Sequence, residues 1–194
     1  MRRYEYLLAQ FGKRAERERS RAMLLDLEDL PAGDWKVLGD RQWRTGAIGE
    51  QNEIVQRAIK SGSFTAWRSF KLLTTRRGIW LEVIPYASAK DADSAVPGQR
   101  FSFRKNPKLR LTVTGEREID DLDIPGVSTR LIFEKMTDSE DGPGASRYVV
   151  GSVDRFVFVV VGSEQGGEWQ WSEMASVSAL QARKIQSILD GSNH

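Results

Sequence analysis

The run Arg-Tyr-Val-Val-Gly-Ser-Val-Asp-Arg-Phe-Val-Phe-Val-Val-Val-Gly, from Arg147 to Gly162, constrains the fold more than any other stretch. Val153 and Phe156 to Val161 are apolar at successive positions, so an extended strand here needs cover on both faces. The run is also far shorter than the roughly 20 residues of a bilayer-crossing helix. It belongs at the centre of a sheet. Gly151-Ser152 reads as the tight turn of a hairpin within the run, since glycine tolerates the positive φ required there.

A chain of 194 residues, 40% hydrophobic and 29% charged, suits a single domain with one sizeable core. The N-terminal Met-Arg-Arg-Tyr-Glu-Tyr-Leu-Leu lacks the apolar segment of a signal peptide, and a cytoplasmic location is expected. There is no cysteine, which excludes disulfides, thiolate nucleophiles and Cys-ligated metal centres. The single histidine is His194, the last residue, which argues against Ser-His-Asp catalysis and histidine metal sites. Catalysis would fall to carboxylates, Lys, Tyr, Ser or Thr, and any metal to oxygen ligands. No cofactor and no metal are expected.

Net charge is only +2, but residues 1–22 hold seven basic and three acidic groups, whereas residues 116–141 hold three basic and nine acidic. Such asymmetry orients partners or copies of one chain, or simply solvates a surface. Residues 2–22 read as an amphipathic helix with Tyr4, Leu8, Phe11, Ala15 and Ala22 on one stripe. This basic arm, residues 1–23, can pack on its own domain or a second copy, or contact an anionic surface. Residues 24–194 form the domain itself. Met23 to Leu30 reads as its entry, and Asp34 to Thr45 as a strand pair turned near Gly39-Asp40. A helix is expected over Glu50 to Lys60, where Glu50 and Glu53 in the first turn would repel a phosphate.

Phe64 to Leu73 and Ile79 to Tyr86 form the clearest hairpin, closed by Thr75-Arg76-Arg77-Gly78. That loop would set Leu81 against Leu72, Val83 against Phe70, Glu82 against Lys71 and Tyr86 against Trp67. Trp67, Trp80, Glu82 and Tyr86 make a mixed sheet face suited to binding. Glu82, between Trp80 and Ile84, is the candidate for a perturbed carboxylate, with an ordinary pair to Lys71 as the plainer reading.

Ser88 to Ala95 suits a short helix. The segment 99–110 then carries Arg100, Arg104, Lys105, Lys108 and Arg110 among Phe101 and Phe103 with no acid. With Arg76 and Arg77 these residues form a candidate phosphate-binding surface for nucleic acid, although a strand with buried aromatics and solvated charges has the same pattern. Leu109 to Val113 and Ser128 to Lys135 look like strands joined by an acidic connection from Glu116 to Asp123, which lacks the calcium-loop pattern. Asp138 to Gly144 reads as an exposed loop. Ser172 to Asp190 reads as a helix whose Met174, Val177, Ile185, Ile188 and Leu189 cover the sheet, with Ser178 as an alternative start.

The strand Arg147 to Val153, its apolar partner and the terminal Gln181-Ala-Arg-Lys-Ile185 resemble small actinobacterial domains of the LpqN and PsbP-like type. Leu24-Leu25 to Leu30-Pro31-Ala32-Gly33, followed by Trp35, is similar to their opening. The resemblance implies an antiparallel sheet flanked by helices and an accessory, adaptor or sensor-like role, and it brings no catalytic residues. The expected fold is therefore α+β, with a twisted, mainly antiparallel sheet of about six or seven strands, flanking helices and the basic arm. The expected function is non-catalytic binding of a protein partner or a second copy. Nucleic-acid binding and a carboxylate-dependent enzyme are the alternatives.

Overall fold

Two antiparallel meanders share one seam. In the computed structural model, which describes residues 14–44, 63–75, 77–99, 112–127, 129–139, 142–163 and 169–191, the first meander is β1 (Trp35–Arg44), β2 (Phe64–Leu72) and β3 (Gly78–Pro85). The second is β4 (Thr112–Glu118), β5 (Arg130–Ser139), β6 (Gly142–Val153) and β7 (Phe156–Ser163). β3 pairs with β7, giving a seven-stranded antiparallel sheet of order β1-β2-β3-β7-β6-β5-β4. β7 is the middle strand, and Phe156 to Val161 are all buried. This is the α+β architecture expected.

Among the described residues the α-helices are α1 over residues 14–22, α2 (Ala89–Ala95) and α3 (Trp171–Gly191). On the first face of the sheet, Phe70, Leu81, Val83, Phe158 and Val160 pack with Met174, Val177 and Ile185 of α3 and with Met23, Leu24 and Leu25. On the second, Ile84, Val157, Val159 and Val161 pack with Ala92 and Ala95 of α2. Ser88 caps α2 by accepting from the Asp91 N–H at 3.1 Å. The described part of the arm lies against β1 and β2. The Arg17 guanidinium stands 4.2 Å over the Phe64 ring, and Gln42 donates to the Arg17 carbonyl at 2.6 Å.

Five local expectations are corrected. Leu81 lies opposite Arg68 and Val83 opposite Ala66, because Leu72 N–H closes on the Arg77 carbonyl at 3.0 Å and leaves residues 73–76 as the loop. Glu82 consequently faces Trp67, not Lys71. Asp34 to Thr45 holds one strand instead of two, with an irregularity between Val37 and Gly39. At Gly39 a Cβ would lie 2.6 Å from the Trp67 ring, so the glycine serves close packing and not a turn. Gly151 and Ser152 lie inside β6, and the turn falls at Asp154-Arg155, with Asp154 at φ 49°. Glu116 and Glu118 belong to β4, and Asp138 to Gly144 falls largely within the paired ends of β5 and β6. The helix expected over Glu50 to Lys60 lies outside the described residues.

Two carboxylates fasten outlying pieces to this frame. Burial pushes the Asp29 carboxyl up, but the Asp26 N–H and the Lys184 ammonium, with Arg68 beyond, hold it below its ordinary value. Burial acts the same way on Glu173 and is outweighed by the Gln170 N–H, then Arg77 and Arg147. Both groups titrate lower folded than unfolded, so their stabilisation is complete above about pH 5 and is lost as pH falls through the folded values. The double variant Asp29→Asn/Glu173→Gln should be less stable at neutral pH and lose less melting temperature on acidification than the parent. Parallel curves in a pH series of thermal melts would reject this assignment.

Candidate functional site

Alternation along β3 puts Trp80, Glu82 and Ile84 on the second face, and Tyr86 follows just past the strand end. Trp67 stands opposite Glu82 on β2, and its ring meets Trp80 edge-on, with centroids 6.4 Å apart at 64°. The Arg41 guanidinium lies 6.0 Å from the Trp67 ring centroid. Trp67, Trp80 and Glu82 are half-buried, whereas Tyr86 is fully buried and accepts from Gln99 at 3.2 Å. Three of the four predicted sheet-face residues thus reach the surface together. Tyr86 belongs to the core under α2.

The same row continues across β7 to Tyr148 and Phe133, which the sequence did not mark as site residues. Val161 pairs with Trp80 on one side and Tyr148 on the other, and Tyr148 pairs with Phe133. The Tyr148 and Phe133 rings stack at 4.6 Å and 5°. Lys135 Nζ sits 5.3 Å from each of these ring centroids and 3.9 Å from Glu116 Oε2, with its side chain only 2% exposed. Cation–π attraction and the nearby carboxylate offset the desolvation of this ammonium. Burial raises the Tyr148 pKa, the Ser146 hydrogen bond opposes it, and the Glu116 charge adds to the rise. The result is an aromatic band bounded by Arg41 at β1 and by Lys135 with Glu116 toward β4. Within this band Arg41 is exposed and Trp67, Trp80, Glu82 and Tyr148 are half-buried, whereas Val161, Phe133 and Lys135 are buried.

The chain is similar in fold to the extracellular domain of PknH from Mycobacterium tuberculosis. The two share 10% identity at a TM-score of 0.54, over 88% of this chain and 96% of that one. At this identity the likeness concerns the fold. An uncharacterized protein of Mycobacterium smegmatis superposes at a TM-score of 0.48 with 8% identity, over 87% of this chain and 96% of its own. No family model and no curated protein matches the sequence, so the LpqN and PsbP-like resemblance gains no sequence support. Among the described residues no helix is long and apolar enough to cross a membrane, and no group of three or more acidic side chains is placed to hold a metal.

Of the candidate basic surface, Arg76, Arg100, Arg104, Lys105, Lys108 and Arg110 lie outside the described residues. Arg77 is described, and it is engaged. Its Nη2 donates to Glu173 at 2.7 Å, and its guanidinium stands 3.9 Å over Trp169, which stacks on Trp35 at 6.1 Å. It works as a clamp between β3 and the start of α3.

Proposed function

We propose that this chain is a non-catalytic binding domain that takes a protein partner on the second face of its sheet, around Trp67, Trp80 and Glu82. The observation that carries this reading is the unequal cover of the two faces. The first lies under the 21-residue α3 and under Met23 to Leu25. Among the described helices only the seven-residue α2 packs on the second, beside Ile84 and Val157, and the tryptophan pair stays half-open. Half-exposed tryptophans beside a cation are the groups that dominate protein interfaces when truncated. The accessory role is the one implied by the LpqN and PsbP-like resemblance, and residues 1–23 act as an arm on the 24–194 domain.

The test compares proteins retained from cell extract by the parent chain and by Trp67→Ala/Trp80→Ala, each verified as folded by circular dichroism. A partner bound by the parent and lost by the variant is expected, with affinity reduced at least tenfold once that partner is purified, since each anchor contributes about 2 kcal/mol. Equal retention by both would remove this face from consideration. The uninterrupted positive charge of residues 99–110 supports a second reading, polyanion binding. In that case affinity for single-stranded DNA falls steeply with salt and weakens in Arg104→Ala/Lys105→Ala.

A further inference from the structure

We propose that the two outer strands join copies of this chain edge to edge, β1 of one copy against β4 of the next. Among the described residues each of these strands pairs on one side only. Exposed large apolar side chains gather at the same two margins. Leu38 is 61% exposed on β1, with Val37 beside it and Leu73 adjoining, and Val113 on β4 and Met136 on β5 are exposed at the opposite margin. An open edge flanked by apolar side chains is a template for another strand.

Charge selects which edges meet. The irregularity in β1 brings Lys36 and Arg41 to the second face, opposite Lys71 and Trp67. In β4, Glu116 and Glu118 lie on that same face, opposite Lys135 and Phe133; Glu116 faces the buried Lys135 ammonium at 3.9 Å, and the exposed Glu118 carries the acidic charge of this margin. The charges of opposite sign on these strands point the other way, Asp40 bonding Arg68 at 2.8 Å and Arg117 bonding Glu134 at 3.1 Å. On the second face, therefore, the β1 margin is basic and the β4 margin acidic. Pairing β1 with its own copy would set lysine and arginine against arginine and lysine, and pairing β4 with itself would oppose glutamates. Pairing β1 with β4 matches opposite signs.

The topology permits this contact. Seven strands alternating in direction leave the first and last running the same way, so a copy displaced sideways lays its β4 parallel to β1 with the second faces continuous. Such a contact is heterologous, and without a closing rotation it grows into an open ribbon that follows the sheet twist.

Sedimentation velocity on the full chain tests it with two variants, Lys36→Glu/Arg41→Glu at one edge and Val113→Lys/Glu118→Lys at the other. The parent should gain mass with concentration beyond a dimer and lose it with added salt. Each variant alone should remain monomeric, and an equal mixture of the two should assemble again, because each carries the charge its partner's edge now needs. Circular dichroism confirms that both are folded. A parent that stays monomeric at every soluble concentration, a dimer that survives the β4 variant, or a mixture that does not assemble would each overturn the proposal.

Discussion

Arg68→Ala is expected to lower the unfolding free energy by about 3–5 kcal/mol, the range seen when one partner of a buried ion pair is removed. Arg68 sits on β2 opposite Leu81, and its side chain is 8% exposed. Its guanidinium satisfies three residues from two parts of the chain, the entry segment and β1. Nη1 donates to the Leu25 carbonyl at 2.9 Å and to Asp26, while Nε and Nη2 donate to Asp40 Oδ2 at 3.2 and 2.8 Å. The same Asp40 oxygen accepts from Arg21 at 2.7 Å, so the described arm, the entry segment and β1 are tied through one side chain. Truncation leaves a buried carbonyl without this donor and removes both Arg68 bonds to Asp40, which keeps those from Arg21. Arg68→Lys should recover only part of the loss, because an ammonium cannot reproduce the fork. The exposed Arg14 pair with Glu18 at 2.9 Å is the control, and Arg14→Ala should change stability by well under 1 kcal/mol. Chemical denaturation measures all three. If Arg68→Ala matches Arg14→Ala, the network adds nothing to stability.

Arg68 and Lys135 also show where sequence reasoning stops. Period-two patterning made the β3 face legible: Trp80, Glu82 and Ile84 share a side in the sequence and in the fold. Period 3.6 likewise made α3 legible, with Met174, Val177, Ile185 and Leu189 buried as expected. Register was not legible. The expected and observed β2–β3 pairings differ by an even number of residues, so each residue keeps its face and only its partner changes. A local pattern therefore cannot separate the two registers. The buried cations were hidden for a different reason. Arginine and lysine within a strand read as solvated, and only the long-range pairing that brings Asp40 to Arg68 and Glu116 to Lys135 makes burial tolerable. Glycines misled in the same way. Gly39 and Gly151 carry a turn signal in sequence, yet their role is to admit the Trp67 and Phe158 rings against the backbone. The aromatic band was half legible for related reasons: Trp67 and Trp80 stood in a recognisable hairpin, whereas Tyr148 and Phe133 join it only through the seam between the two meanders.

That close approach of ring to backbone makes the second large effect predictable. Gly162 lies on β7 between Ile79 of β3 and Arg147 of β6, facing α3. A Cβ there would stand 2.6 Å from Met174 Sδ and 2.9 Å from Trp169 Cγ, both side chains being buried. Met174 can shift, because a thioether has several soft torsions. Trp169 cannot shift alone: it is held between the Arg77 guanidinium and the Trp35 ring, and Arg77 is fixed in turn by Glu173. Gly162→Ala should therefore destabilise by about 1–3 kcal/mol, the usual range for overpacking, and Gly162→Val by more. Displacing Trp169 would also disturb its stack on Trp35, which gives a signature distinct from simple loss of stability. The near-ultraviolet circular dichroism of folded Gly162→Ala should change in the tryptophan region, whereas that of Arg68→Ala should not. Wild-type stability in Gly162→Val would mean that α3 can lift from the sheet without cost, and the first face would then be as adaptable as the second.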